Sequence, residues 1–124
     1  MPHILIVDDS PTETYVLRNF FEKQGYEVSE ACNGKEGIAV AEVQQPDLII
    51  MDIVMPEVNG FQATRQLSNN EKTCNIPIIV YSSKNLATDR LWALRQGAKE
   101  YIVKPIVAKE LLAIVEKYLQ KKVV

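Results

Sequence analysis

Acidic residues directly follow two apolar runs of this sequence, at positions where a strand would end and a loop would begin. Residues 3–7 lead into Asp8 and Asp9, and residues 48–51 lead into Asp52. Short apolar runs rich in β-branched residues are typical of buried strands, and the prolines flanking the second run leave no room for a longer helix. A carboxylate at a strand end can form a turn, cap a helix or carry out chemistry. Asp52 is the first candidate for chemistry.

Two other functional groups follow apolar runs later in the chain. Ser82 follows residues 76–81, and Lys104 follows residues 101–103. If the acids share one site they repel one another unless a cation joins them, and Mg²⁺ is the natural candidate because it prefers oxygen ligands. A carboxylate nucleophile, Mg²⁺, an ammonium and a hydroxyl are the groups needed to receive a phosphoryl group on Asp52. The expected product is an aspartyl phosphate.

Apolar runs and amphipathic stretches alternate along the chain. Ser10 is predicted to cap the first helix, with Pro11 at the first helical position, Glu13 as the reciprocal half of a capping box and Gly25 at the helix end. The predicted strands cover residues 3–7, 26–31, 48–52, 76–81 and 101–103. The other predicted helices cover residues 35–44, residues 60 to about 67, residues 86–96 and a segment around 111–119.

This alternation indicates an α/β fold in which right-handed crossovers place helices on both faces of a parallel sheet. The strand over residues 26–31 alternates with polar residues and is expected at an edge of the sheet. Ligands of such sheets bind at the carboxyl ends of the strands. The candidate side chains should therefore meet at one edge; they are Asp8, Asp9, Asp52, Ser82 and Lys104.

The composition is that of an ordinary globular domain and disfavours several function classes. The 124 residues are 47% hydrophobic and 24% charged, which suits one domain over residues 1–124. A net charge of −2 offers no basic surface for nucleic acid, and no run suits a membrane span or signal peptide, so a cytoplasmic protein is expected. Cys32 and Cys74 are expected as free thiols, and a single histidine disfavours zinc.

Several motifs occur at successive strand ends in the order typical of the receiver domains of bacterial two-component response regulators. They are the Asp8-Asp9 pair, the stretch Asp52-x-x-Met55-Pro56-x-x-x-Gly60, Ser82, and Lys104-Pro105. Each motif alone is weak, but together they span the chain, and the sequence resembles that CheY-like family. The resemblance implies a (βα)5 doubly wound, flavodoxin-like sheet with strand order 2-1-3-4-5.

The resemblance also implies which residues carry the phosphoryl group and the metal. Asp52 would be the phosphoacceptor and, with Asp9, would bind Mg²⁺ directly. Asp8 would act mainly through water, and the Val54 backbone carbonyl would complete the protein ligands.

Other residues are implied to sense the phosphoryl group. Lys104 would pair with its oxygens, next to a cis Lys104-Pro105 bond, and Ser82 would be the switch hydroxyl. Tyr101 would move inward when Ser82 engages the phosphoryl group, although a packed strand aromatic is an open alternative. Trp92 could pack in the core or anchor a partner. The output would leave through the fourth helix, fifth strand and fifth helix.

Within the family, residues 51–67 and 95–98 with Trp92 resemble the single-domain regulators of chemotaxis-like systems that control type IV pili. This implies a monomeric regulator, a histidine kinase as phosphodonor, an unidentified protein target, and twitching or phototactic motility as output. A phosphate sink or an intermediate relay receiver stays open as an alternative. A few departures from the family pattern leave the phosphoryl lifetime open: Ser83 (commonly Ala), Ile106 (commonly Phe), and the variable positions Val54 and Lys84.

Two rival functions are disfavoured by missing residues. A haloacid-dehalogenase-type phosphatase, which is Mg²⁺-dependent and passes through an aspartyl phosphate, needs a second Asp two residues after the first, where Val54 stands. A nucleotide-binding module would be expected to carry G-x-G-x-x-G or G-x-x-x-x-G-K-[ST], and neither occurs. A signalling protein rather than an enzyme is expected.

Overall fold

Five parallel strands in the order 2-1-3-4-5 form the sheet of the computed structural model, which describes residues 2–55 and 58–119. The strands are β1 (His3–Val7), β2 (Glu27–Ala31), β3 (Leu48–Asp52), β4 (Ile78–Ser82) and β5 (Glu100–Val103). The helices are α1 (Pro11–Lys23), α2 (Gly34–Gln44), α3 (Gly60–Asn69), α4 (Ala87–Arg95) and α5 (Ala108–Leu119). The predicted doubly wound fold and its strand order are confirmed.

The central strands are apolar throughout because the sheet is covered on both faces. One buried cluster joins alternate residues of the strands, such as Leu5 and Met51, to α2, α3 and α4. The other joins the intervening residues, such as Ile6 and Ile50, to α1 and α5. Because β1, β3 and β4 pair in parallel register, their carboxyl ends lie level at one edge of the sheet.

The ends of α1 confirm one half of the predicted capping pattern and contradict the other. The Ser10 hydroxyl accepts a hydrogen bond from the Glu13 backbone amide at 3.3 Å, so Ser10 is the cap. The reciprocal bond from Glu13 was predicted wrongly, because the Ser10 amide donates to Asp8 and the Glu13 carboxylate accepts from Lys104. Gly25 follows the helix with φ of +92°, as expected for a glycine that ends a helix.

The predicted elements around β4 and α4 need correction. β4 begins at Ile78 rather than residue 76, because Pro77 has no amide to donate, although its carbonyl accepts from Ile49 at 3.0 Å. In α4 the apolar residues do not form a core face; Ala93 is the buried residue. The large apolar side chains of α4 are exposed to solvent; they are Leu91, Trp92 and Leu94.

Other sequence expectations concern single residues. Cys32 and Cys74 are free and exposed, as predicted. Lys117 lies in the last turn of α5, where a positive charge is favourable, whereas Lys121, Lys122 and Pro56 lie outside the described residues. Within residues 2–55 and 58–119, no helix has the length and apolar character that crossing a membrane requires.

Candidate functional site

Three carboxylates meet at the carboxyl ends of β1 and β3. Asp8 directly follows β1 and Asp52 is the last residue of β3; they are only 3% and 5% exposed. Glu13 joins them from the first turn of α1, and one oxygen from each of the three carboxylates lies within 4.8 Å of the others. This cluster of Asp8, Glu13 and Asp52, the acidic cluster, provides the hard oxygen ligands that a divalent cation prefers.

The membership of the acidic cluster differs from the sequence expectation. The chain was expected to bring Asp8, Asp9 and Asp52 together, but Asp9 is exposed and does not belong to the cluster. Glu13 is the third member of the cluster, although its position in the sequence had indicated only a role in capping α1. The one signal for it was its position in the turn that directly follows the acid pair.

Lys104 follows β5, and its side chain reaches the acidic cluster. Its ammonium lies 2.6 Å from a Glu13 carboxylate oxygen and 3.7 Å from an Asp52 oxygen. Burial acts to lower the pKa of Lys104, but the hydrogen bond to Glu13 and the charge of Asp52 outweigh it and raise that pKa. The Lys104-Pro105 peptide bond is cis, as the family resemblance implied. Lys104 is therefore a fixed positive charge beside Asp52.

Burial and neighbouring charges set the pKa values of the acids. Burial raises the pKa of Asp8 to about 7, although the hydrogen bonds that Asp8 accepts act in the opposite direction. Burial also raises the pKa of Asp52, against the attraction of Lys104. Burial also acts to raise the pKa of Glu13, but the hydrogen bond from Lys104 outweighs it and lowers that pKa. Without a cation, Asp8 is thus expected to be partly protonated at neutral pH.

Tyr81 is a residue of the site that the sequence analysis missed. It belongs to β4, its side chain is fully buried, and its hydroxyl donates a hydrogen bond to Asp8. The Lys104 ammonium lies 4.6 Å from the centre of the Tyr81 ring, within the range of a cation–π contact. Burial and the neighbouring Asp8 carboxylate both raise the pKa of Tyr81. A polar ring in an otherwise aliphatic strand, one residue before Ser82, was the available signal.

The backbone after β3 surrounds Asp52 closely. The backbone groups of Ile53 and Val54 act to lower the pKa of Asp52, although its burial, the larger effect, raises that pKa. Gly60 begins α3 so near to β3 that a Cβ atom at this position would lie 2.2 Å from the Asp52 carbonyl oxygen. The Gly60 of the sequence motif is therefore explained by close backbone approach. The Val54 side chain is 55% exposed, at the open side of the site.

The predicted switch residues lie on the α4 side of Asp52. Ser82 is fully buried, and its hydroxyl accepts a hydrogen bond from the Lys84 amide at 3.1 Å. Tyr101 is also buried, and its hydroxyl donates to the Lys84 carbonyl at 2.7 Å. Ser82 and Tyr101 thus hold the same residue from two strands. Trp92 lies apart from them, half-exposed on α4.

A sheet of this order, with buried acids behind β1 and β3 and a lysine behind β5, is the architecture expected of a phosphoryl-accepting signalling domain. Residues 4–116 match the family of the response regulator receiver domain, and the chain belongs to this family. It is similar to protein PilH of Pseudomonas aeruginosa PAO1, with 51% identity over 112 residues, which cover 90% of this chain and 93% of PilH. The sequence analysis found a resemblance to particular members of the family, carried by residues 51–67 and 95–98 with Trp92. The match with PilH confirms that similarity.

Solved structures support the same fold. Chemotaxis protein CheY4 of Vibrio cholerae is 27% identical, with a TM-score of 0.89, and the match covers 95% of this chain and 98% of that chain. The receiver domain of the sensor histidine kinase PA1611 from Pseudomonas aeruginosa PAO1 is 31% identical, with a TM-score of 0.89 and coverages of 96% and 98%. That PA1611 structure has a magnesium ion coordinated in its active-site cleft.

Proposed function

We propose that this receiver domain accepts a phosphoryl group on Asp52 from a histidine kinase in the cytoplasm and passes the signal to a protein target. The observation that carries the proposal is the surroundings of Asp52: a buried carboxylate at a strand end, 3.7 Å from the Lys104 ammonium and next to the Asp8 carboxylate. Such a carboxylate can act as a nucleophile while fixed charges neutralise the group that it receives.

Mg²⁺ fits the acidic cluster. The donors are carboxylate oxygens, two of the three residues are buried, and their mutual repulsion is relieved by a divalent cation. Asp8 and Asp52 are the residues of the cluster that would hold it; Asp9 and the Val54 carbonyl stay predicted ligands. The magnesium ion in the PA1611 receiver domain supports this choice of metal.

The transfer itself exchanges one bond of phosphorus for another. An Asp52 oxygen attacks the phosphorus atom, the bond between phosphorus and the donor's histidine nitrogen breaks, and the nitrogen keeps the electron pair and takes up a proton. A Mg²⁺ ion held by Asp8 and Asp52 would supply positive charge to the phosphoryl oxygens. Lys104 supplies a second positive charge, but it must divide its hydrogen bonds between the phosphoryl group and Glu13, which accepts from it at 2.6 Å.

The output surface proposed is the face formed by α4, β5 and α5. Ser82 would engage the phosphoryl group, Tyr101 would follow the loop that contains Lys84, and Trp92 would contact the target. Apolar side chains exposed in this region, among them Leu91 at 50% and Val103 at 42%, support a protein target. Similarity to PilH, together with the sequence resemblance to pilus regulators, supports type IV pilus motility as the process.

The decisive test is labelling with acetyl phosphate and Mg²⁺. We expect one phosphoryl group per chain, no label on Asp52→Asn, and no label after Mg²⁺ is chelated. Asp47→Asn is the matched control, because Asp47 precedes the amino end of the same strand and should leave labelling unchanged. Undiminished labelling of Asp52→Asn would contradict the assignment, and steady turnover of a generic phosphatase substrate would favour an enzyme instead.

The donor and the type of output can be separated by two further measurements. Phosphotransfer from each histidine kinase of the source organism would identify the donor as the kinase that labels Asp52 fastest. A chain that is labelled at Asp52 without any amide-exchange response in α4 would be a phosphate sink or relay intermediate rather than a regulator with its own output.

A further inference from the structure

We propose that Tyr81 is a positioning residue for the metal side of the site: its hydroxyl holds the Asp8 carboxylate in the orientation that a divalent cation requires. The inference rests on the proposed function and deepens it. It assigns a role to a buried tyrosine that has none in the proposed phosphoryl transfer or in the predicted switch.

The position of Tyr81 makes it a bridge between strands. Tyr81 pairs in register with Asp52, the candidate phosphoacceptor, in the neighbouring strand. Its ring lies in the buried cluster that joins the sheet to α1 and α5. A phenol oxygen buried this deeply needs a hydrogen-bond partner, and it finds one in Asp8, which follows β1. One side chain therefore links the carboxyl ends of β4 and β1, which lie on either side of β3.

Both oxygens of the Asp8 carboxylate are engaged. Oδ1 accepts a hydrogen bond from the Ser10 amide at 2.8 Å, and Oδ2 accepts from the Tyr81 hydroxyl. The two donors come from different elements, so the carboxylate cannot rotate without breaking one of the bonds. Each oxygen keeps acceptor capacity for a cation or its water shell. The carboxylate is thus oriented in advance, in the way that partners of ligand residues orient them in metal sites.

The packing role of Tyr81 can be separated from its hydrogen bond. The ring fills the core and lies near Lys104, and a phenylalanine ring would do both. Among residues 2–55 and 58–119, the partner that the hydroxyl adds is Asp8. Tyr81→Phe therefore removes the proposed function of the residue and leaves its packing.

Tyr118 offers a matched control. Its hydroxyl also donates to a carboxylate, that of Glu100, but Glu100 lies at the amino end of β5, away from the acidic cluster. Tyr118→Phe removes a bond of the same type without touching Asp8. A general effect of losing a tyrosine–carboxylate bond would appear in both variants, whereas orientation of Asp8 would affect Tyr81→Phe alone.

The experiment is titration of the full chain with Mg²⁺ by calorimetry, at fixed pH and ionic strength and without phosphodonor. We expect the Mg²⁺ dissociation constant to rise about 10-fold in Tyr81→Phe, the lower end of the effect typical of a partner of a metal ligand, and to stay unchanged in Tyr118→Phe. In acetyl phosphate labelling, the Mg²⁺ concentration for half-maximal rate should rise by the same factor while the rate at saturating Mg²⁺ stays that of the parent.

Two outcomes would each contradict a defined statement. If Tyr81→Phe binds Mg²⁺ as tightly as the parent, or more tightly, the hydroxyl does not orient Asp8 for the metal. If the parent itself binds no Mg²⁺, the metal in the proposed function is wrong as well. If Tyr81→Phe melts earlier than the parent in chelator, the Mg²⁺-induced rise above its own metal-free Tm gives the same comparison of affinities.

Discussion

The two sides of Asp52 are held in different ways. On the α1 side, Asp8, Glu13, Tyr81 and Lys104 form contacts that join α1 to three strand ends. On the α4 side, the Ser82 and Tyr101 side chains both hydrogen-bond to the backbone of one loop residue, Lys84, and Ser82 also acts on the Tyr101 hydroxyl. A receiver must hold its reacting groups in place and still change its surface. The comparison suggests that the α1 side performs the first task and the α4 side the second.

The helices that follow β3 and β4, which are α3 and α4, also differ in how firmly they are held. The start of α3 carries a complete capping box, in which Asn59 and Gln62 exchange side-chain bonds with each other's backbone amides, and four of its residues are buried. The start of α4 at Leu86 has no side-chain cap, and its buried residue is Ala93. A helix with few buried contacts and an unsatisfied first turn can move at small free-energy cost.

The largest expected effect lies on the α1 side. Asp8→Asn should raise the free energy of unfolding, measured by denaturant titration in chelator at pH 7, by about 2 kcal/mol. The reason is that burial raises the pKa of Asp8 from 3.8 to about 7, so the fold is destabilised by its charge. The gain should be smaller than the full shift implies, because asparagine loses the charge-assisted character of the bonds from Ser10 and Tyr81.

The pH dependence follows from the same shift. The unfolded chain ionises Asp8 near pH 4 and the folded chain near pH 7, so the metal-free parent should lose stability as the pH rises through that interval. The stability of Asp8→Asn should not show the fall with pH that is due to Asp8. The stability of Asp9→Asn, in which the exposed Asp9 is replaced, should still show it. Equal slopes in the parent and Asp8→Asn would show that the acidic cluster is not strained.

A smaller effect is expected on the α4 side. Ser82→Ala should still be labelled at Asp52, but a beryllofluoride mimic of the phosphoryl group should change amide exchange at Trp92 and Tyr101 less than in the parent. The lost coupling should be about 1.5 kcal/mol, within the usual range for linked sites.

Ser83→Ala is the matched control, because Ser83 is exposed and adjacent to the buried Ser82. It should respond to beryllofluoride as the parent does. Equal responses of the parent and Ser82→Ala would remove the hydroxyl from the mechanism. A response confined to the α1 side would reverse the comparison between the two sides.

The smallest effect concerns the start of α4. Leu86→Ser supplies the missing cap and should stabilise α4 by about 0.5–1 kcal/mol, seen as slower amide exchange in its first turns. By the same reasoning it should weaken the response of Trp92 to beryllofluoride. Asn59→Ala, which removes an existing cap from α3, should destabilise that helix by a similar amount. Unchanged exchange in Leu86→Ser would mean that the missing cap does not account for the mobility expected of α4.

Much of the fold could be read from local patterns. The five strands, the helices between them and the edge position of β2 follow from alternation and from the rule that parallel strands need crossover connections, which apply to short segments one at a time. The same rule brings Asp8, Asp52 and Lys104 to one edge, because each lies at the carboxyl end of a strand. The family resemblance added the roles that these residues are proposed to have.

The sequence by itself therefore determined the architecture and which strand ends would meet. Only the tertiary structure decided which side chains touch there: Tyr81 and Asp8 are separated by 73 residues, and Lys104 and Glu13 by 91. Whether such pairs meet depends on the direction of each side chain and on how a helix packs across the sheet, and neither is written in a local pattern. For this reason Glu13 joined the acidic cluster in place of Asp9.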